Sequence, residues 1–439
     1  MFFNIASLKK HPKELWILAL TEMCERYAFW GVGNLLVLFL IEYYEFNNSS
    51  ASHVYGIFAG AAAFLPLVGG YIADRWNYQS PMVVGALVNA LGCFLLSSGQ
   101  SWLLYPSLFI IALGYGAFTP SILTVLGYAY RNHPELRETG FSIYYASINV
   151  GVFLALASLG TIAKLVGWNV AFFVAGIVQI LGLLPLFWYL RKNKESSRSL
   201  QAHRVSAKKA TLTAVDKDRF IVIGVFYLFS ILFWIAYIQG FSSMAIFTHD
   251  FMNKTVFGME IPEGVFLSSE SFFLILLAPL LAAFYAYLNK FKKNPAPSFK
   301  TAYSLIAIAF CFLIMMFASA QIPADAHSAA VSWQPLILAY FMMAVGEMLL
   351  APVGLSFVSK LAPHRFTALS IGIWYVCVGF AFYIGGIMAG LMESVGGLFN
   401  FFAIFVFLTA IPGIILLCFS KKVTALSHSH LKEGPVEPL

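Results

Sequence analysis

The sequence predicts an all-α membrane protein: twelve transmembrane helices in two six-helix halves, with both termini cytoplasmic. Three observations carry this. The 439 residues are 60% hydrophobic and only 11% charged, whereas a soluble protein has about 25% charged residues. Single water-soluble cores stop growing near about 250–300 residues, so this much apolar surface needs lipid as its solvent. Twelve separate stretches are long enough to cross a bilayer, and a polar, basic segment divides them six and six.

A transmembrane helix needs about 20 mostly apolar residues. Such stretches lie near 15–44, 52–74, 80–99, 102–130, 138–165 and 168–190, and again near 219–248, 264–289, 298–320, 333–360, 366–393 and 397–420. The expected organisation is an N-terminal bundle (1–190), a basic linker (191–218), a C-terminal bundle (219–420) and a cytoplasmic tail (421–439). An internal echo supports duplication. Arg137 to Ile143 opens the fifth span and Arg365 to Ile371 the eleventh, both reading R-x-T-x-x-S-I.

The positive charges orient the chain. Of 27 Lys and Arg residues, Arg26 lies inside a span and only Lys164 and Lys254 fall on the outer side, which leaves 24 on the cytoplasmic side. That is a strong positive-inside bias. The net charge of +7 is therefore a topology device whose natural partner is the lipid bilayer, and no nucleic-acid binding is expected. No cleavable signal peptide is visible, because Glu22, Glu25 and Arg26 interrupt the first apolar run. The five cysteines all fall within spans and form no C-x-x-C pair, so they read as small buried hydrophobes. No metal or other cofactor is expected.

Charges inside the bilayer cost at least about 2.5–3.5 kcal/mol each and therefore mark function. Glu22, Glu25 and Arg26 stand at i, i+3 and i+4 and share one face of the first helix. One guanidinium cannot neutralise two carboxylates, so one of them is expected to hold a proton that it can exchange. Glu347 sits mid-span with no cation within a helical turn. It must be protonated, paired across the bundle or hydrated. Glu270, early in the eighth span, is ambiguous: functional, or simply solvated at the outer interface. Asn149 and Gln239 suit either a site or helix-to-helix hydrogen bonds. Gly346, Pro352 and Gly354 in the tenth span and Pro120 in the fourth suit bending of those helices, as alternating access requires, or ordinary close packing. No histidine lies mid-span, and no nucleophile elbow or phosphate loop is present, so an enzyme is disfavoured.

Motifs spread along most of the chain resemble the proton-dependent oligopeptide transporters, a branch of the major facilitator superfamily. Glu22, Glu25, Arg26 and Tyr27 look like the E-x-x-E-R-F/Y motif of helix 1. Gly69, Gly70, Ala73, Asp74 and Arg75 are similar to the G-G-x-x-A-D-R loop after helix 2. Tyr145, Ile148, Asn149 and Gly151 match F-Y-x-x-I-N-x-G of helix 5, and Phe233, Trp234, Gln239, Ser242 and Ser243 match the helix 7 motif. Gly346, Glu347, Pro352, Gly354, Ser356, Ala362 and Pro363 resemble helix 10, and Trp374 takes the helix 11 tryptophan position.

The resemblance implies a major facilitator fold and proton-coupled symport by alternating access, with protons the only coupling ion. It also implies a small-molecule substrate, residence in a bacterial inner membrane and function as a monomer. Glu22, Glu25 and Arg26 would couple protons. Tyr27, Trp30, Thr119, Tyr145, Asn149, Trp234, Gln239, Glu270, Glu347, Ser356 and Trp374 would line the substrate site, with Glu347 meeting an amino group. Four departures accompany these matches. The family's helix 1 Arg is absent from Phe29-Trp30-Gly31-Val32-Gly33, its helix 4 Lys is Thr119, its helix 8 Asn is Glu270, and its helix 7 Glu is Ile238. In the family, the first three of those residues serve the peptide carboxylate. The expected cargo is therefore an amine-bearing solute, such as a peptide or amino-acid derivative, whose carboxylate is masked, distant or absent. A conventional di- and tripeptide symporter or an exporter stands second, and a transporter-like sensor third.

Overall fold

The structure, a computed structural model, describes residues 10–75, 79–130, 134–192, 213–291, 295–322, 330–362, 367–392 and 394–428. Twelve helices among these residues are long and apolar enough to cross a membrane. In the first half they are α1 (Lys13–Glu42), α2 (Asn48–Arg75), α3 (Gln79–Ser97), α4 (Leu104–Ala129), α5 (Pro134–Leu165) and α6 (Trp168–Lys192). In the second half they are α7 (Ala214–Tyr237), α8 (Ser269–Lys290), α9 (Pro297–Ser319), α10 (Gln334–Leu361), α11 (Thr367–Gly390) and α12 (Leu398–Leu426). Most of the basic linker and the second half of the R-x-T-x-x-S-I echo fall outside the described residues or their described side chains.

The helix ends follow local chemistry. Thr213 and Asp216 close a capping box on α7, the Asp216 N–H donating to Thr213 Oγ1 (3.1 Å) and the Thr213 N–H to Asp216 Oδ2 (2.9 Å). Two spans expected to be continuous are broken. The seventh passes through a 3₁₀ turn, Ile238–Phe241, into a short helix, Ser243–Asp250. Ser242 Oγ donates to the Ile238 carbonyl at 3.0 Å there, competing with the helical ladder. The eighth breaks at Ser268, between the short helix Glu263–Leu267 and α8, where Ser268 Oγ donates to the Val265 carbonyl (2.6 Å).

Near the first and last described residues, each half is tied across its own helices. His11 at the start of α1 bonds to Tyr130 after α4 (2.7 Å), and His428 after α12 bonds to Asp218 at the start of α7 (2.8 Å). At the opposite face the two halves close on each other. Gly56 of α2 meets Gly386 of α11, where a Cβ on Gly56 would lie 2.7 Å from the Gly386 Cα. Gly160 of α5 meets Gly264 in the same way, at 2.8 Å. Only residues without a side chain allow such backbone approach. Ion pairs reinforce it: Lys164 Nζ lies 2.6 Å from Glu260 Oε1, and His249 Nδ1 lies 3.4 Å from Glu42 Oε1.

Helix α1 is central, with 78% of its most apolar stretch buried, and α12 is peripheral, with 33%. That asymmetry places the three charges of α1 in the interior. The glycines of α10 serve packing: a Cβ on Gly346 would come within 3.0 Å of the Phe233 ring, and one on Gly354 within 3.0 Å of the Trp374 ring. Cys24, Cys93 and Cys311 are buried thiols as expected, but Cys418 is exposed on the outer face of α12.

Candidate functional site

Two clusters of buried carboxyls lie in the interior, one built on each half, and each is held by a different chemistry. In the first, α1 presents Glu22, Glu25 and Arg26 toward α3, α4 and α5. Both glutamates are fully buried and Arg26 is 4% exposed. Arg26 commits most of its guanidinium to Glu22, with Nε at 2.7 Å and Nη2 at 2.6 Å from Glu22 Oε1. Glu25 is held more loosely. Its Oε2 lies 3.2 Å from Arg26 Nη1 without the alignment of a hydrogen bond, while its Oε1 accepts from Asn89 Nδ2 at 3.1 Å. The guanidinium also faces the Tyr115 ring at 4.8 Å and reaches Thr119 Oγ1 at 3.4 Å. The pairing is unequal: Glu22 takes the two close guanidinium contacts and Glu25 one longer one.

The second cluster has no cation. Glu347 of α10 and Glu270 of α8 are 9% and 1% exposed and belong to one buried cluster with the Tyr145 and Tyr237 hydroxyls. Phenols and a hydroxyl surround them: Tyr145 donates to Glu347 Oε1 (3.4 Å), Tyr237 to Glu270 Oε1 (3.3 Å) and Ser271 to Glu270 Oε2 (3.1 Å). Among the described residues no Lys, Arg or His lies within ion-pair distance of either glutamate. The outer-interface reading of Glu270 is therefore corrected. The break at Ser268 starts α8 inside the protein, and Glu270 in its first turn faces inward instead of water.

Consecutive residues of α5 join the clusters. Tyr144 packs beside Glu22 and Tyr145 touches Glu347, one turning to each half. Asn149, one turn on, donates to the Tyr145 carbonyl (3.1 Å) and lies beside the Tyr145 hydroxyl. Trp234 is buried against Tyr237, edge to face at 5.0 Å, with an indole N–H that has no partner. Trp30 packs on Phe29 and Tyr115, and Tyr27 bonds to Ser158 (2.7 Å).

Other expected contacts are not brought to the carboxyls. Gln239 is fully buried and its amide is used up. Its Nε2 donates to the Gly385 carbonyl (2.8 Å) and the Ile235 carbonyl (3.3 Å), and its Oε1 accepts from Ser243 (2.9 Å). It ties the broken seventh span to α11 and leaves nothing for a ligand. Trp374 stacks on Phe226 at 5.2 Å inside the second half. The Ser356 side chain lies outside the described residues. Asn89, Tyr115, Tyr144 and Tyr237 join the site without having been expected from the sequence. Asn89 had a signal, an amide inside an apolar span, whereas the tyrosines are too common in such spans to stand out.

Glu42, His249 and Glu263 bring three metal-type ligands together at the closed face. Each glutamate already has another partner, Trp168 Nε1 on Glu42 (3.0 Å) and Lys254 Nζ on Glu263 (2.6 Å), so the group acts as an ion-pair contact between the halves.

The Major Facilitator Superfamily model matches residues 18–327, well over half of the chain. The chain belongs to that superfamily. Membership makes it a transporter rather than an enzyme, and twelve crossing helices together with bacterial transporter relatives make it a multi-pass inner-membrane protein. It is 28% identical to a peptide transporter of Yersinia enterocolitica, with 87% of each chain covered. It is 25% identical to the transporter YclF of Bacillus subtilis, covering 93% of each chain. Among solved structures it is similar to a peptide transporter POT in complex with sulfate, at 24% identity and TM-score 0.83, covering 97% of this chain and 96% of that one. It also overlays a POT family transporter in complex with 5-aminolevulinic acid, at 22% identity and TM-score 0.85, covering 97% and 98%. The expectation of a major facilitator is borne out, and the relatives and structures it resembles over most of its length are peptide permeases and POT transporters.

Proposed function

We propose that this major facilitator protein is a proton-coupled symporter of a small amine-bearing solute whose carboxylate is masked, distant or absent. The observation that carries it is the buried pair Glu270 and Glu347, with phenols beside them and no protein cation within ion-pair distance among the described residues. With Glu22, Glu25, Glu270 and Glu347 against Arg26 alone, the interior carries −3 when all are ionised. Such a site attracts an ammonium group and penalises a free carboxylate by at least about 1 kcal/mol per unpaired interaction. The relatives named as peptide permeases, and the neighbour bound to 5-aminolevulinic acid, support an amine-bearing cargo.

In this reading Glu25 carries the coupling proton, held against Arg26, and no cofactor is used. Glu347, with Tyr145 and Asn149, receives the amino group. Both termini and the linker face the cytoplasm, as the positive charges direct. The halves 1–190 and 219–420 rock about the site, and a single chain in the lipid bilayer suffices. Closure of the face away from the termini, through the Gly56–Gly386 and Gly160–Gly264 contacts, leaves the cytoplasmic side as the route to open next. The second reading is a conventional di- and tripeptide symporter, which the names of the relatives favour.

A thermal-shift comparison of free dipeptides with their C-terminal amides on purified protein separates the two. Ligands stabilise in proportion to occupancy whatever the direction of transport. The amides are expected to stabilise more, and a clear preference for the free carboxylate would overturn the masked-carboxylate reading.

A further inference from the structure

Helices α8 and α10 meet through a small apolar cluster of their own, built on Leu274, Ala344 and Met348. From that cluster toward the α8–α9 turn they leave a groove of about 210 Å³. Leu277, Leu281 and Phe284 line it from α8, and Val345, Met348 and Leu349 from α10. Every lining side chain is apolar, and Glu347 takes no part, so the groove is separate from the carboxyl cluster. Leu280 and Phe284 are exposed at its rim, where lipid is the solvent. Pro279 has no N–H for the ladder of α8 at this level, which favours a bend beside the groove.

The groove has a polar end. Leu277, Leu281 and Tyr285 recur every four residues along one face of α8. Over the Tyr285 ring, at 3.8 Å from its centre, stands the Lys300 ammonium of α9. Among the described residues Lys300 has no carboxylate within ion-pair distance, and the Tyr285 hydroxyl is buried without a hydrogen-bond partner. A cation and a phenol donor therefore meet where neither has an anionic acceptor. The surrounding sequence has the same sign. From 271 to 324 the chain holds four lysines, Lys290, Lys292, Lys293 and Lys300, and no acidic residue. Counting crossings from the linker, α8 ends on the side of the termini, where the cytoplasmic leaflet supplies anionic headgroups.

We infer that the groove and Lys300 form a binding site for one anionic phospholipid of the cytoplasmic leaflet. One acyl chain lies between α8 and α10, and the headgroup phosphate meets Lys300. The inference goes beyond the transport reading and holds whatever the substrate is; from that reading it takes only the cytoplasmic placement of the α8–α9 turn. An apolar groove open to lipid is filled by an acyl chain, because an empty one forfeits dispersion contacts along both walls. Headgroup charge then selects the lipid. One lysine near the membrane surface gives about a fivefold preference for an anionic over a zwitterionic headgroup. Met348 follows Glu347 directly in α10, so the chain is seated against the helix that carries that carboxyl.

The test adds phosphatidylglycerol with a diazirine in one acyl chain to purified full-length protein in detergent. After photolysis the labelled peptides are mapped. Label is expected on α8 around Leu281 and on α10 around Val345 to Leu349. Unlabelled phosphatidylglycerol is expected to compete about fivefold better than phosphatidylcholine with the same chains, and the preference to shrink as salt rises. Lys300→Gln is expected to remove that preference while label stays on the same peptides. Leu281→Trp, which fills the groove, is expected to remove the label from them. Label spread evenly over the lipid-facing helices, α12 included, overturns the groove as a site. Equal competition by the two lipids in wild type, which needs no variant, overturns the headgroup contact, and so does a preference that survives Lys300→Gln.

Discussion

The two halves bury the same kind of group, paired glutamates, under opposite conditions. In the first, Glu22 and Glu25 share one guanidinium, so charge is compensated and a single carboxyl is left loosely held. In the second, Glu270 and Glu347 have no cation within ion-pair distance among the described residues, which leaves a ligand or a proton to compensate them. A permanent counter-ion makes a cluster that can gain or lose one proton without collapsing, which suits coupling. The lack of one makes a cluster that needs a mobile cation, which suits recognition of an amine. Tyr144 and Tyr145, adjacent on α5, touch one cluster each, and a shift of α5 would move both.

The largest expected effect follows from removing the counter-ion. Arg26→Gln leaves two uncompensated buried carboxylates, and losing one partner of a buried ion pair costs about 3–5 kcal/mol. A thermal melt in detergent should show a large loss of stability, and uptake into proteoliposomes should vanish. Near-wild-type stability would mean that the guanidinium is not the anchor of the first half.

A smaller effect separates structure from site. Gln239→Ala removes the tie between the seventh span and α11 and leaves the Gly385 carbonyl unpaired, at about 1–3 kcal/mol. Stability should fall while affinity for an amidated dipeptide stays at the wild-type value. A loss of affinity without loss of stability would return Gln239 to the binding site.

Much of the fold was legible because lipid leaves few alternatives. Twelve apolar stretches and the positive-charge bias give spans and expected sidedness without any tertiary information. The breaks at Ile238–Phe241 and Ser268 were not legible, because they depend on serine hydroxyls competing with backbone bonds in runs that stay apolar. Within the site, the Glu22–Glu25–Arg26 face could be read from helical spacing alone, since i, i+3 and i+4 settle who meets whom. The partner of Glu347 could not: Glu270 is 77 residues away, and its direction depends on where α8 begins. Gln239 misled for the complementary reason. A polar residue inside a span signals a hydrogen bond, but not whether the partner is a ligand or the carbonyl of Gly385.

The division between coupling beside Arg26 and recognition beside Glu347 is tested most directly by Glu25→Gln in proteoliposomes. Proton-gradient-driven uptake and counterflow exchange of the same amidated dipeptide are measured side by side. Driven uptake is expected to be abolished while counterflow is retained. Equal loss of both, or retention of both, would contradict that division.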